Sequence, residues 1–204
     1  LPEAQVAYLV RPTDGACVAL SSWLQRGLRV HVTSKSLTLG DQEFLPGTLI
    51  VKVHENRPGL HQVMTQAVTK YDLDVTAADT GFVTKGAHFG GPHVKWVRPP
   101  KILLAMDRPM SYSVGHTWHL FDQRLRYPTT RVSCRQLPRI DLDDFNVLIL
   151  PAGNYSEPSQ LNAEFAGRVK QWVREGGTLI LVEGAAVWAA REQIGLVDLK
   201  RVAK

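Results

Sequence analysis

Residues 144–188 read DFNVLILPAGNYSEPSQLNAEFAGRVKQWVREGGTLILVEGAAVW, and this stretch decides the fold. Val147-Leu148-Ile149-Leu150 is an unbroken apolar run, the pattern of a strand buried on both faces. Pro151-Ala152-Gly153-Asn154 ends it. Leu161, Phe165, Val169, Trp172 and Val173 then recur at helical spacing, and Gly176-Gly177 closes that helix. Thr178-Leu179-Ile180-Leu181-Val182 is a second apolar run. Two such strands joined through a helix predict a right-handed βαβ unit in a parallel sheet.

Working outward, Lys101 to Met106 is a third buried run that stops at Asp107. A loop from Arg108 to Val114 leads into GHTWHLFDQRL, and Thr130 to Leu137 reads as a strand. Residues 101–194 therefore give β-α-β-β-α-β-α, most of a doubly wound α/β sheet of the flavodoxin-like kind. The runs 101–106, 147–150 and 178–182 are expected as its neighbouring central strands, each covered on both faces. Arg98-Pro99-Pro100 is the linker, so residues 1–98 form a smaller α/β domain and 99–204 the doubly wound one. In the first, Val6–Val10 and Arg29–Thr33 read as strands. Gly15 to Arg26 and Pro58-Gly59 to Tyr71 read as helices. Thr38–Phe44 folds as a hairpin about Gly40-Asp41 and continues through Gly47–Val53. The Gly-rich segment 79–93 lacks the helix start that a phosphate cradle needs, and reads as turns.

At 204 residues, with 44% hydrophobic and 21% charged residues, the chain has the composition of a globular protein with one large or two small cores. No apolar run approaches the roughly 18 residues of a membrane span. The chain opens at Leu1 without an initiator Met and ends just after a helix, which reads as a piece of a longer protein. The net charge is +5. Arg124, Arg126, Arg131, Arg135 and Arg139 form one basic cluster. No nucleic-acid module accompanies it, so it reads first as a solvated face and second as a site for an acidic partner. Cys17 and Cys134 do not fix a redox compartment.

In open α/β sheets ligands bind outside the carboxyl ends of the strands. Asp107, Asn154, Tyr155, Glu183 and Gly184 fall there, and His116 follows the first strand on the same edge. Asn154, Tyr155 and His116 are the side chains expected to orient a ligand, over free amides at the helix start after Glu183; the alternative is that the protein's own loops fill this edge. Hydrolases and amidotransferases of this architecture place a Cys or Ser on the turn occupied here by Glu183-Gly184-Ala185-Ala186, beside amides that form an oxyanion hole. The turn has neither, and Gly184, give or take one position, stands in the nucleophile's place. Cys134 falls inside the strand 130–137, and Ser156 lies in NYSEP, away from the turn. His116 and His119 are one helical turn apart, but no third ligand, HxxE or HExxH accompanies them, so no metal is expected.

The segments AYLVRPTDGACVALSSWLQRGLRV, GDQEFLPGTLIV, DTGFVTKGAHFGGPHVKWVRPPKILLAMD, VGHTWHLFDQRLRYPTTRV and DFNVLILPAGNY together with WVREGGTLILVEGAA resemble the C-terminal region of large bacterial zinc carboxypeptidases of the carboxypeptidase A-like metallopeptidase family. That region ends in a domain similar to class I glutamine amidotransferases. The resemblance implies a peptidase domain upstream of Leu1 that holds the zinc and is the partner of this region in the same chain. It implies a peptide as the possible substrate and a periplasmic or secreted location; from the residues themselves no membrane or nucleic-acid partner is expected. The family's zinc ligands, an HxxE pair and a later His, have no counterpart here. No catalytic or metal residue carries over, and this piece is expected to need no cofactor. The resemblance thus implies a non-catalytic accessory domain. A small-molecule or peptide-binding module with a degenerate amidotransferase-like crevice is the alternative.

Overall fold

The computed structural model describes residues 1–106, 112–155 and 161–198. The chain divides into two compact units, Leu1–Pro99 and Pro100–Lys204.

The first unit contains β1 (Ala7–Val10), α1 (Asp14–Gln25), β2 (His31–Thr33), β3 (Leu37–Leu39), β4 (Gln42–Phe44), β5 (Leu49–Lys52), α2 (Leu60–Tyr71), β6 (Val75–Ala78), β7 (Lys85–Gly86) and β8 (Val94–Trp96). An antiparallel sheet runs β6-β1-β5-β2-β8, and a second runs β4-β3-β7. Side chains alternate across a strand, and the larger sheet uses both sides. Tyr8, Val10, Leu49 and Val51 pack against Trp23 of α1 and Met64 of α2. Ala7, Leu9 and Ile50 pack instead against Leu37 and Phe44 of the smaller sheet. The unit is thus helices, five strands, three strands. The expected hairpin about Gly40-Asp41 forms, with Leu39 opposite Gln42. Its expected continuation does not: β5 leaves for the larger sheet, where it lies between β1 and β2. Leu49, Ile50 and Val51 are all buried, so this strand needs two covered faces, which a hairpin arm cannot supply.

The second unit contains β9 (Ile102–Met106), α3 (Tyr112–His119), β10 (Thr129–Ser133), β11 (Val147–Leu150), α4 (Ala163–Arg174), β12 (Thr178–Leu181) and α5 (Gly184–Ala189). A π-helical turn over Leu120–Leu125 extends α3. The sheet is parallel throughout, in the order β10-β9-β11-β12. Leu103, Leu148 and Leu150 meet Phe165, Val169 and Trp172 of α4 and Trp188 of α5. The side chain of Asn162 caps α4 by accepting from the Phe165 amide at 2.9 Å, and Gly176 in the left-handed region follows its last turn.

Two expectations fail in this unit. The run 178–182 is not central: β12 is the sheet's edge among the described strands. Its exposure alternates, with Leu179 and Leu181 against the core and Ile180 43% exposed. The apolar run conceals this because Ile180 is apolar although uncovered. Cys134 lies just past the end of β10, where the chain turns into a 3-10 turn over Leu137–Arg139; the thiol is buried. No described helix is long and apolar enough to cross a membrane.

Two glycines in α4 and its exit separate space from strain. A Cβ on Gly167 would meet nothing within 4 Å, whereas one on Gly177 would lie 2.3 Å from Trp172 Cδ2. Gly167→Ala is expected to stabilise the chain by about 0.5–1 kcal/mol through helix propensity. Gly177→Ala should destabilise it by about 1–3 kcal/mol through overpacking. Urea unfolding of the two variants checks both signs.

Candidate functional site

Asn154 and Tyr155 follow β11, and Glu183 and Gly184 follow β12, at the carboxyl ends of two strands of the parallel sheet. Asp107 and Ser156 lie outside the described residues. His116 is on α3 and exposed, whereas His119, at the end of that helix, is also exposed. The start of α3 is tied to the end of β11, because Ser113 Oγ accepts from the Ala152 amide at 3.0 Å. Asn154 is exposed in the loop after β11.

Tyr155 is not a ligand-facing group. Its ring is buried against Trp188, with centroids 6.2 Å apart, and its hydroxyl donates to Pro151 O at 2.6 Å. A buried phenol must find such an acceptor, and this one anchors its own loop. Arg191 Nη1 donates to Tyr155 O at 3.4 Å, a second tie on the same loop.

The turn after β12 has a strained backbone, and the strain sits on Glu183, not on Gly184. Glu183 has φ 46° and ψ −106°, in a region that side chains rarely adopt. Gly184 meets a different demand: a Cβ there would lie 2.2 Å from Gly153 O, so the strand-to-helix turn closes directly on the loop after β11. The expected free amides are fewer than anticipated, because the Ala185 amide donates to Val182 O at 3.0 Å. The Glu183 side chain is exposed. The turn therefore presents a single carboxylate above the edge of the sheet. Glycine tolerates this backbone conformation, so Glu183→Gly is expected to raise stability by about 1 kcal/mol. Glu183→Ala, which keeps the strain, should not; chemical denaturation compares the two.

A second polar centre lies in the first unit, and no motif in the sequence announces it. Glu55, just beyond β5, is ringed by basic side chains: Lys52 Nζ at 3.0 Å, His31 Nε2 at 3.6 Å, Arg29 Nε at 3.7 Å and His54 Nε2 at 3.8 Å. The Arg29 guanidinium also lies over the Trp96 ring, 5.3 Å from its centroid. His31 Nδ1 and Glu55 Oε2 are buried without a hydrogen bond. The signal is diffuse in the sequence, since the residues come from separate places in the chain and only the antiparallel register of β2 on β5 brings them together.

Burial, helped by the Lys52 charge, holds the His31 imidazole below its ordinary 6.5. For Glu55, burial alone would raise the carboxyl. The Lys52 hydrogen bond and the charges of His31, Lys52 and Arg29 outweigh it and hold the group below its ordinary 4.5. Both shifts have the same sign in linkage. As pH falls through about 6.5 the unfolded chain protonates His31 before the folded one does, so stability is lost. A further loss follows as pH falls below about 4.5 and Glu55 protonates. Unfolding free energy should therefore decline with acidification from neutral pH. His31→Gln should flatten the part of that slope nearest pH 6, read from urea titrations across the range.

Among the described residues no group of three or more His, Cys, Asp or Glu is arranged to hold a metal ion. The basic cluster of the second unit includes a stacked pair, Arg131 over the Trp118 ring at 4.8 Å. No family model matches the chain, and no curated protein matches it.

Proposed function

We propose that the chain is a non-catalytic accessory region of a bacterial zinc metallocarboxypeptidase, positioning substrate or holding the parent's domains together. In this reading its second unit is a doubly wound, flavodoxin-like domain of the glutamine amidotransferase kind that has lost its nucleophile. The observation that carries the reading is the turn after β12. Its backbone is bent at Glu183, with φ 46° and ψ −106°, where a hydrolase would hold a Cys or Ser. A carboxylate there is poorly suited to cleave an amide by covalent attack. Its adduct with a carbonyl expels the carboxylate more readily than an amine, so the adduct reverts. The only thiol described in this unit, Cys134, is buried and lies after β10, not at the turn.

The isolated chain should hydrolyse neither glutamine nor simple esters above background, and Cys134→Ala should change nothing. The reading frame that encodes it should carry an HxxE pair and a later His upstream. Removing residues 1–204 from that parent should raise KM for peptide substrates several-fold while leaving its zinc content intact. A glutaminase rate abolished by Glu183→Gln, or a reading frame without the upstream zinc ligands, would overturn the proposal.

A further inference from the structure

A cleft of about 570 Å3 opens in the first unit, between the N-terminal segment, the loop after β5 and the start of α2. Its volume lies in the range of about 300–1,000 Å3 typical of small-molecule sites. It is remote in sequence from the turn at Glu183, and a ligand there is independent of the accessory-domain reading.

The inner end of the cleft is a buried polar pair. Tyr8 is 1% exposed, and its hydroxyl accepts from the Ala4 amide at 3.1 Å. The same oxygen is 3.0 Å from His61 Nδ1. In the tautomer where the hydroxyl donates to Nδ1 while accepting from Ala4, the neutral ring carries its hydrogen on Nε2. The two rings also stack, with centroids 6.3 Å apart. His61 is thus fixed in orientation while remaining half-buried on the cleft wall. Among the described residues its Nε2 has one hydrogen-bonding partner, Thr65 Oγ1 at 3.5 Å. That separation is long for a hydrogen bond, so a charged oxygen in the cleft competes with it readily.

The outer end carries a positive charge. Arg57 is exposed and has no hydrogen bond or ion pair among the described residues. Its loop is nonetheless held in place. Asn56 Nδ2 donates to Arg29 O at 3.0 Å and to Lys52 O at 2.8 Å, and Asn56 Oδ1 accepts from the Arg29 amide at 2.8 Å. Val53, Pro58 and Leu60 supply apolar wall. The first turn of α2 has no capping side chain and no acidic residue, so nothing in that turn offsets the charge of Arg57. Among the described residues Glu3 is the one carboxylate lining the cleft.

We propose that this cleft binds a small molecule bearing an oxyanion, a carboxylate or a phosphate ester. Arg57 is its charge partner, and His61, oriented by Tyr8, is a hydrogen-bond donor to it. An apolar part of the ligand lies against Val53 and Leu60.

The test is an NMR titration of the whole chain with inorganic phosphate and, separately, with succinate, at constant pH and at an ionic strength held constant with chloride. Saturable shifts are expected at the Leu60, His61 and Gln62 amides and at the His61 ring. Arg57→Gln, a surface change whose folding is checked by circular dichroism, should weaken binding by about tenfold or more. Saturation by phosphate alone assigns the site to phosphate esters, and by succinate alone to carboxylates. Saturation by both supports a general oxyanion site. Absence of saturation with either probe up to about 50 mM, or an affinity unchanged in Arg57→Gln, overturns the proposal.

Discussion

The second unit depends on one contact, the indole of Trp172 seated across the backbone of Gly177. The ring occupies the space a Cβ would fill. Its Nε1 donates to Phe145 O at 3.2 Å, and the Gly177 amide donates to Trp172 O at 3.0 Å. Three pieces of chain meet there: the last turn of α4, the entry to β12 and the segment before β11. A parallel pair has no hairpin to set its register. Here the helix that crosses between the strands is pinned at its exit, and the register of Val147 opposite Thr178 is set with it. Trp188 makes a similar tie between α5 and the entry to α4, buried, with its Nε1 donating to Leu161 O at 3.1 Å.

The carboxyl edge of the same sheet is shaped by a second close approach, that of Gly184 to Gly153 O. It draws the turn after β12 onto the loop after β11, and the bend is absorbed at Glu183. The result is a tightly closed turn with an exposed acid at its apex, beside a loop whose tyrosine is turned inward and tied to Pro151. The edge thus combines a close backbone approach, an exposed acid and a tyrosine that is turned inward.

The first unit solves a different problem. Its larger sheet is antiparallel and covered on both sides, by two helices on one and a small sheet on the other. That leaves its polar groups at the strand ends. The Glu55 cluster at one such place is partly desolvated, and four basic side chains surround a single carboxylate that retains an unsatisfied oxygen. Removing Glu55 from the cluster is costly because His31 and Lys52 stay largely buried, whereas Arg29 and His54 are more than half exposed. On the helix side of the same unit, Tyr8 reaches from β1 to the first turn of α2, where its hydroxyl orients His61.

By itself the linear sequence determined the elements that local periodicity dictates. The parallel sheet was legible because Ile102–Met106, Val147–Leu150 and the helix between Leu161 and Val173 each carry an apolar pattern that fits one element type best. The absence of a thiol or hydroxyl at residues 183–186 was legible too, since it needs no structure to read. The tertiary structure decided matters in which apolar character and burial part company. Ile180 is as apolar as Ile149, yet no described element covers β12 on that side. The run 49–51 reads equally as a hairpin arm or a buried strand until it is placed between β1 and β2. Tyr155 and Glu183 show the same limit at the edge of the sheet, because hydroxyl direction and backbone strain are set by the packing around them. The meetings of Arg29, His31 and Glu55, and of Tyr8 with His61, arise from strand register and helix placement. No spacing along the chain encodes them.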